Sequence, residues 1–244
     1  RYDMIPYWMS RTQLMLGDEK VASLMGKNVL IVGLGGVGGI CAEMIVRAGI
    51  GKMTIVDNDT VDESNINRQI QALQSTVKQP KAQVLAARLK DINPLLDLTV
   101  IEVFIKEQIT IDLIEKEKWD YIVDCIDTLS SKVFFIKACM DRSLPLVSSL
   151  GAGGKVDPSQ IEVTDISKTH ECNLAKYVRK RLHSLGIYKG LKVVFSPEKV
   201  DQSRIIETEK AFPKKSLIGT LSYMPAIFGC TVASVVIRDL LAND

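Results

Sequence analysis

Histidine is almost missing from this chain: His170 and His183 are the only two in 244 residues. Both fall in one polar stretch, far from the strand ends expected to line a cofactor site. A hydride-transfer site usually needs an imidazole or another positioned acid/base, so oxidoreductase chemistry starts short of a catalyst. Cysteine excludes two further classes. Cys41, Cys125, Cys139, Cys172 and Cys230 are odd in number, and no two stand closer than fourteen positions. Neither a disulfide framework nor a C-x-x-C zinc pair can be drawn from that spacing, which points to a reducing, cytoplasmic setting. Net charge is only +2, so any nucleic-acid contact must come from local clustering. Charged side chains are absent altogether from residues 216–237, a run long enough to cross a bilayer. Gly219, Thr220, Ser222, Pro225 and Gly229 interrupt it, and Pro225 suits the first turn of a helix. A buried core or dimer-interface helix is therefore expected there, with no transmembrane segment. The opening RYDMIPYWMS is too short and too polar for a signal peptide.

What is present is a chain with 46% hydrophobic residues, enough for one large α/β core. NVLIVG (28–33) reads as a buried strand, 37–48 as a helix and KMTIVD (52–57) as a second strand, which makes a βαβ unit. Helices are expected next at 80–94, 109–117 and 131–142. They alternate with strands at LTVIEVF, YIVDCID and PLVSSL. After Gly151 the alternation stops. GKVDPSQIEVTDI reads as a hairpin turning at Asp157-Pro158, with Ile161 and Val163 on one face. A basic connection, the strand LKVVFS, a polar stretch at 198–215 and the apolar helix complete the chain. The KAFPKKS run in that polar stretch suggests a flap. The expected class is α/β: a Rossmann-like, mostly parallel sheet with helices on both faces, extended by an antiparallel second half. Residues 10–150 form the nucleotide-binding half and 151–244 the substrate half of a single domain.

Gly33, Gly35 and Gly38 spell G-x-G-x-x-G between the first strand and the first helix, with Gly36 and Gly39 opening the turn further. Such a turn brings backbone amides and a helix N-terminus to a phosphate. Asp57 then closes the next strand where an acid holds a ribose. Downstream of it stand Asn65, Asn67, Arg68 and Gln69 in NINRQ, and Lys81 after Gln79-Pro80, residues for which a nicotinamide site has no evident use. Cations beside a phosphate turn suit a triphosphate whose α-phosphorus is attacked by an anion. Across the sheet, D-C-I-D (124–127) ends a strand with carboxylates. Mg²⁺ favours one or two such acids together with phosphate oxygens and water.

GLGGVG, Asp57-x-Asp59, N-x-N-R-Q, Q-P-K-A and D-x-I-D, in this order, resemble the ATP-dependent adenylating enzymes related to ubiquitin-activating enzymes. That family includes the molybdopterin- and thiamin-pathway activators. The resemblance runs from about Ser10 almost to the end. It implies that Asp57 binds the ATP ribose, with Gly33, Gly35, Gly36, Gly38, Asp59 and Asn65 completing the nucleotide site. It implies further that Arg68 and Lys81 contact the phosphates and that Asp127 binds Mg²⁺. Arg11 matches the family arginine that reaches the partner subunit's ATP, which implies a homodimer.

Within the family, SLGAGGKVDPSQIEVTDISKT (149–169) is similar to the branch that dehydrates threonylcarbamoyladenosine in tRNA. That branch adenylates the substrate's own carboxylate and closes it into a ring, releasing AMP and pyrophosphate. The missing zinc cysteines set the chain apart from the sulfur-carrier activators, although a sulfur-transfer or activating protein partner is compatible with the resemblance. The connection from Lys168 to Lys192 is strongly basic, with Glu171 its only acid. Leu174, Val178 and Leu182 would form the buried stripe of a helix, with Lys176 and Lys180 facing out. Such a face suits RNA phosphates, and equally an ordinary solvated surface. Tyr177 and Tyr188 are candidates to stack on bases or simply to pack. Cys172 is expected as an exposed thiol. Its alternative role is to take an activated protein C-terminus as a thioester, the chemistry of a ubiquitin-like activator. The other four cysteines are expected in the core. A nucleotide-dependent scaffold without turnover stays open at this point.

Overall fold

The computed structural model describes residues 5–207 and 216–243. The chain runs α1 (Ser10–Leu16), α2 (Asp18–Met25), β1 (Asn28–Val32), α3 (Gly38–Arg47), β2 (Lys52–Val56), α4 (Lys81–Ile92) and β3 (Asp97–Ile101). It continues with α5 (Glu107–Glu115), β4 (Tyr121–Asp124), α6 (Leu129–Asp141), β5 (Leu146–Ser149), β6 (Glu162–Asp165), α7 (Asn173–Ser184) and β7 (Lys192–Phe195). A ribbon of β8 (Ile205–Glu207) and β9 (Ser216–Ile218) precedes α8 (Tyr223–Ala242).

β1, β4 and β5 are buried along their whole lengths, because both faces of the sheet are covered by helices. Alternate residues feed two cores. Val29, Ile31, Met53, Ile55, Val123 and Val194 pack with α3, α4 and α8. Leu30, Val32, Ile122, Val193 and Phe195 pack with α5, α6 and α7. The seven-stranded sheet has the order β3-β2-β1-β4-β5-β7-β6, parallel throughout except for the β6–β7 pair. The chain winds outward from β1 through β2 to β3 and then crosses back to β4. The strand order thus reverses between β1 and β4, and the crevice above their C-terminal ends is where such sheets bind ligands.

Two features of the second half differ from the sequence reading. Residues 154–166 do not form a hairpin. Asp157 caps a short 3₁₀ turn at Pro158–Gln160, while the Glu198 carboxylate accepts from the Val156 and Asp157 amides. β6 pairs instead with β7 across the α7 connection, Val163 opposite Val194. Ile161 packs against the core, whereas Val163 on the edge strand is exposed. In the polar stretch, β8 and β9 pair through Ile205–Ile218, Ile206–Leu217 and Glu207–Ser216. The KAFPKKS run read as a flap, residues 210–216, lies outside the described residues apart from Ser216.

α8 is long and apolar enough to cross a membrane, and half of its apolar window is buried in the fold. Met224, Phe228, Val232, Val236 and Leu240 face the core at helical spacing. Cys230, Ser234 and Arg238 form the opposite, exposed stripe, so Cys230 is not the core residue expected from sequence. Cys41 and Cys139 are buried as expected. Gly229 lets α8 approach α3 closely: a Cβ there would stand 2.2 Å from Ile40 Cγ2 and 2.5 Å from the Val37 carbonyl oxygen. Pro225, one turn earlier, covers Gly36 of the glycine turn. We expect Gly229→Ala to force the two helices apart and to cost roughly 1–3 kcal/mol in urea unfolding. It should also weaken nucleotide binding, since α3 begins at the turn. Unchanged stability and affinity would show that the contact is not needed.

Candidate active site

The glycine turn follows β1 because only glycine fits two of its positions. Gly33 has φ +90°, and a Cβ there would meet the Cys125 carbonyl oxygen at 2.5 Å. A Cβ on Gly38 would lie 1.7 Å from the Gly33 carbonyl oxygen. Gly35 is different: its nearest neighbour is Gln69 Nε2 at 3.7 Å, so its backbone is open to an approaching group. Two side chains brace the turn from outside. Gln71 Nε2 donates to the Leu34 carbonyl at 2.5 Å, and Asp57 Oδ2 accepts from the Leu34 amide at 2.7 Å. Gln71 was missed in the sequence, where it looks like one more polar residue after NINRQ.

Asp57 stands at the end of β2, and its second oxygen accepts from the Asp59 amide at 2.7 Å. Burial raises its carboxyl above the ordinary aspartate value. The two backbone hydrogen bonds and the Lys81 charge act the other way and do not cancel the shift. Lys81 is itself buried at the start of α4, its ammonium 3.3 Å from Asp59 Oδ2. The Thr60–Pro80 bridge and the Val61–Gln79 hydrogen bond clamp the two segments together.

Residues 62–69 wrap round the turn. Asp62 and Asn65 cap the 3₁₀ turn Glu63–Asn65 reciprocally, which directs the Asn65 oxygen at the Asp62 amide. Arg68 Nη1 donates to the Ser64 carbonyl and to Asn67 Oδ1, both at 2.8 Å. Asn67 in turn donates to the Thr220 carbonyl at 2.9 Å, tying the arginine to the chain just before α8. Gln69 and Gln71 each have a buried side-chain oxygen with no protein partner.

The two acids of D-C-I-D have separate fates. Asp124 is wholly buried and is no metal ligand: it pairs with Lys132 at 2.9 Å and accepts from Ser148 Oγ at 2.7 Å and the Ile126 amide at 2.9 Å. Lys132 also donates to the Ile126 carbonyl at 3.0 Å. Ile126, at the middle of the 125–127 loop, is thereby held through both its amide and its carbonyl, and that loop carries the exposed Asp127. Thr128, not Asp127, is the N-cap residue of α6. Burial pushes the Cys125 thiol up to about 12, so it lines the loop as an uncharged group.

The structure brings Gly33, Gly35, Gly36, Gly38, Asp57, Asp59, Asn65, Arg68 and Lys81 to one side of the β1–β4 crevice and Asp127 to the other. Arg11 is not among them. Met9 packs against Gly49 beyond the far end of α3, and Arg11, two residues later, is exposed at that end. His170 comes closer to the strand ends than its sequence position suggests. Its ring lies edge-on to Phe195 at the end of β7, with centroids 5.7 Å apart, two strands from β4. Cys172 is buried rather than exposed, beneath Gly151.

The crevice fits a nucleotide: it offers an open glycine backbone at Gly35, oxygens of Gln69 and Gln71 with no protein partner, and an acid, Asp57, fixed at the end of β2. For a metal, no group of three His, Cys, Asp or Glu side chains occurs among the described residues. The single exposed Asp127 suits an ion that completes its shell with phosphate oxygens and water.

Residues 10–244 match the profile of the ThiF family. The chain belongs to the ThiF family. It is 38% identical over 241 residues to tRNA threonylcarbamoyladenosine dehydratase of Bacillus subtilis, covering 96% of this chain and 94% of that protein. The enzyme of the same name from Escherichia coli is 34% identical over 256 residues, covering 97% and 95%. The E. coli enzyme's crystal structure with ATP superposes with a TM-score of 0.86 at 33% identity, covering 96% of this chain and 94% of that one. By contrast, the E. coli sulfur carrier protein ThiS adenylyltransferase is 32% identical over 149 residues, 59% of each chain.

Two measurements test this ThiF-family site. Lys132→Met leaves Asp124 buried without its counter-charge, at an expected cost of about 3–5 kcal/mol in chemical denaturation. Adding Asp124→Asn should recover most of that loss; an equal deficit in the double variant would refute the pairing. Asp57 gives a pH signature. Because its folded pKa is raised, the folded protein holds that proton more tightly than the unfolded chain does. Stability therefore drops as pH rises from the ordinary aspartate value through the raised one. Asp57→Asn should lack that drop, so its stability relative to wild type climbs across the same window. ATP affinity of the wild type should fall on acidification there, read by calorimetry.

Proposed function

We propose that this chain is an ATP-dependent tRNA threonylcarbamoyladenosine dehydratase. The observation that carries the reading is the joining of an open phosphate turn to two cations, Arg68 and Lys81, in a chain similar over nearly its whole length to enzymes of that name. The substrate carboxylate attacks the α-phosphorus of ATP and pyrophosphate leaves. The neighbouring ureido group then attacks the activated carbonyl, a ring closes, and AMP departs with the former carboxylate oxygen, so the net change is loss of water. Two steps make chemical sense because a carboxylate oxygen is a poor leaving group until adenylated. The second step is intramolecular and gains the high effective concentration of a tethered nucleophile. Arg68 and Lys81 offset the repulsion between carboxylate and phosphate. Mg²⁺, held by Asp127 and phosphate oxygens, would neutralise charge on the departing pyrophosphate. Asp57 would hold the ribose.

The same reading makes the chain one ATP-binding domain, with residues 10–150 as the nucleotide half and 151–244 as the substrate half. It also makes it a cytoplasmic homodimer. Tyr7, Leu14 and Met15 flank Arg11 and are highly exposed, which supports a partner subunit covering this helix and placing Arg11 in its neighbour's site. A protein-activating role through a Cys172 thioester is disfavoured by the burial of that thiol.

Incubation with ATP and tRNA bearing threonylcarbamoyladenosine should remove one water's mass from the modified nucleoside and release AMP stoichiometrically. Arg68→Ala should lower turnover by about 10²-fold or more, whereas Cys172→Ala should retain it. Stimulation of AMP release by a ubiquitin-like protein, with no response to the tRNA, would overturn the proposal.

A further inference from the structure

Between Cys172 and Pro197 there are six lysines and arginines and no acid. The structure sorts them. α7 buries Ala175, Val178 and Leu182, while Leu174 is only half-buried, so Ala175 takes the place expected for it in the stripe. Lys192 pairs with Asp239 at the far end of β7. Arg179 and Arg181 bond only to neutral oxygens, those of Thr169 and of Ser130 Oγ at 2.8 Å. Lys176, Lys180 and Lys189 are exposed. Among the described residues no ion pair involves α7, although charged residues on neighbouring helices find counter-ions, as in Lys137–Asp141 and Arg142–Glu115. Basic residues in the last turn favour a helix C-terminus. That accounts for Arg181 and His183 but not for Lys176 and Lys180 further back.

Two aromatic rings share this face. Tyr177 is 53% and Tyr188 62% exposed, and Tyr188 lies against His183 with centroids 5.0 Å apart. The face also borders the active site. Cys172, just before α7, lies under Gly151 beyond the end of β5. Arg181 reaches Ser130 in the first turn of α6, three residues after Asp127. A twelve-residue helix spans about 18 Å, a length that several successive phosphates of a nucleic-acid strand can follow.

We propose that the exposed face of α7 is where the RNA substrate docks. Lys176, Lys180 and Arg181, with Lys189 beyond the helix end, contact phosphates, and Tyr177 and Tyr188 stack on unpaired bases beside the modified nucleotide. This rests on the RNA substrate assigned above and adds the surface that holds it.

The test is a Lys176→Gln/Lys180→Gln/Lys189→Gln triple variant of the full chain, with Lys90→Gln/Lys116→Gln as a control on other elements. We expect the triple variant to bind tRNA at least about tenfold more weakly. The slope of log affinity against log salt should fall by about 2 to 3 units. ATP affinity should stay at the wild-type value. Tyr177→Ala should weaken tRNA binding without changing the salt slope. Wild-type affinity and slope in the triple variant, with the control equally unaffected, would overturn the docking surface while leaving the dehydratase reading intact. A wild-type protein that neither binds nor dehydrates the tRNA would overturn both. An acidic protein that binds the wild type but not the triple variant, while tRNA binds both, would reassign the face.

Discussion

Asp124 and Lys132 meet at 2.9 Å with neither side chain reaching solvent. Burying two charges carries a desolvation cost that their attraction alone does not reliably offset. Here the pair gains from further hydrogen bonds: Ser148 and the Ile126 amide complete the carboxylate, and the Ile126 carbonyl accepts from the ammonium. The result is a short loop held through Ile126 at its middle, with Cys125 so close to the glycine turn that Gly33 has no room for a side chain. Asp127 projects from that loop. The separation between the acid side of the crevice and the glycine turn is therefore set from beneath, by two side chains with no exposed surface.

The other wall is built on the same plan. Asp57 and Gln71 hold opposite polar groups of Leu34, Lys81 is clamped beside Asp59, and Arg68 is steered by Asn67, which is anchored to Thr220. Each cation leans on the backbone or on a neighbour before any ligand arrives. Such preorganisation is what the proposed attack of one anion on another would need, with charge in place at the moment of attack.

Much of this was legible in the sequence, and the limits have physical causes. The alternating strands and helices of the first half, the glycine turn, Asp57, Arg68, Lys81 and Asp127 carry local signals: buried runs, short motifs and strand-end spacing. What failed was non-local. The hairpin at 154–166 did not form because Glu198, far along the chain, takes its amides and β6 finds β7 instead. Cys172 and Cys230 exchanged burial for the same reason. Lys132 is the exception: it lies only eight positions after Asp124, but a strand-end acid and a helix lysine at that spacing do not by themselves show that both side chains turn inward.

The close seating of α8 on the glycine turn has a consequence for how the protein comes into being. Every strand of the sheet after β1 lies, in sequence, between the glycine turn and the helix that backs it. Contacts of such long sequence separation form late in folding. A nascent chain that already displays GLGGVG and NINRQ lacks the wall that Pro225 and Gly229 supply. Tight nucleotide binding would then require that α8 be in place, and ATP would stabilise the completed fold rather than template its beginning.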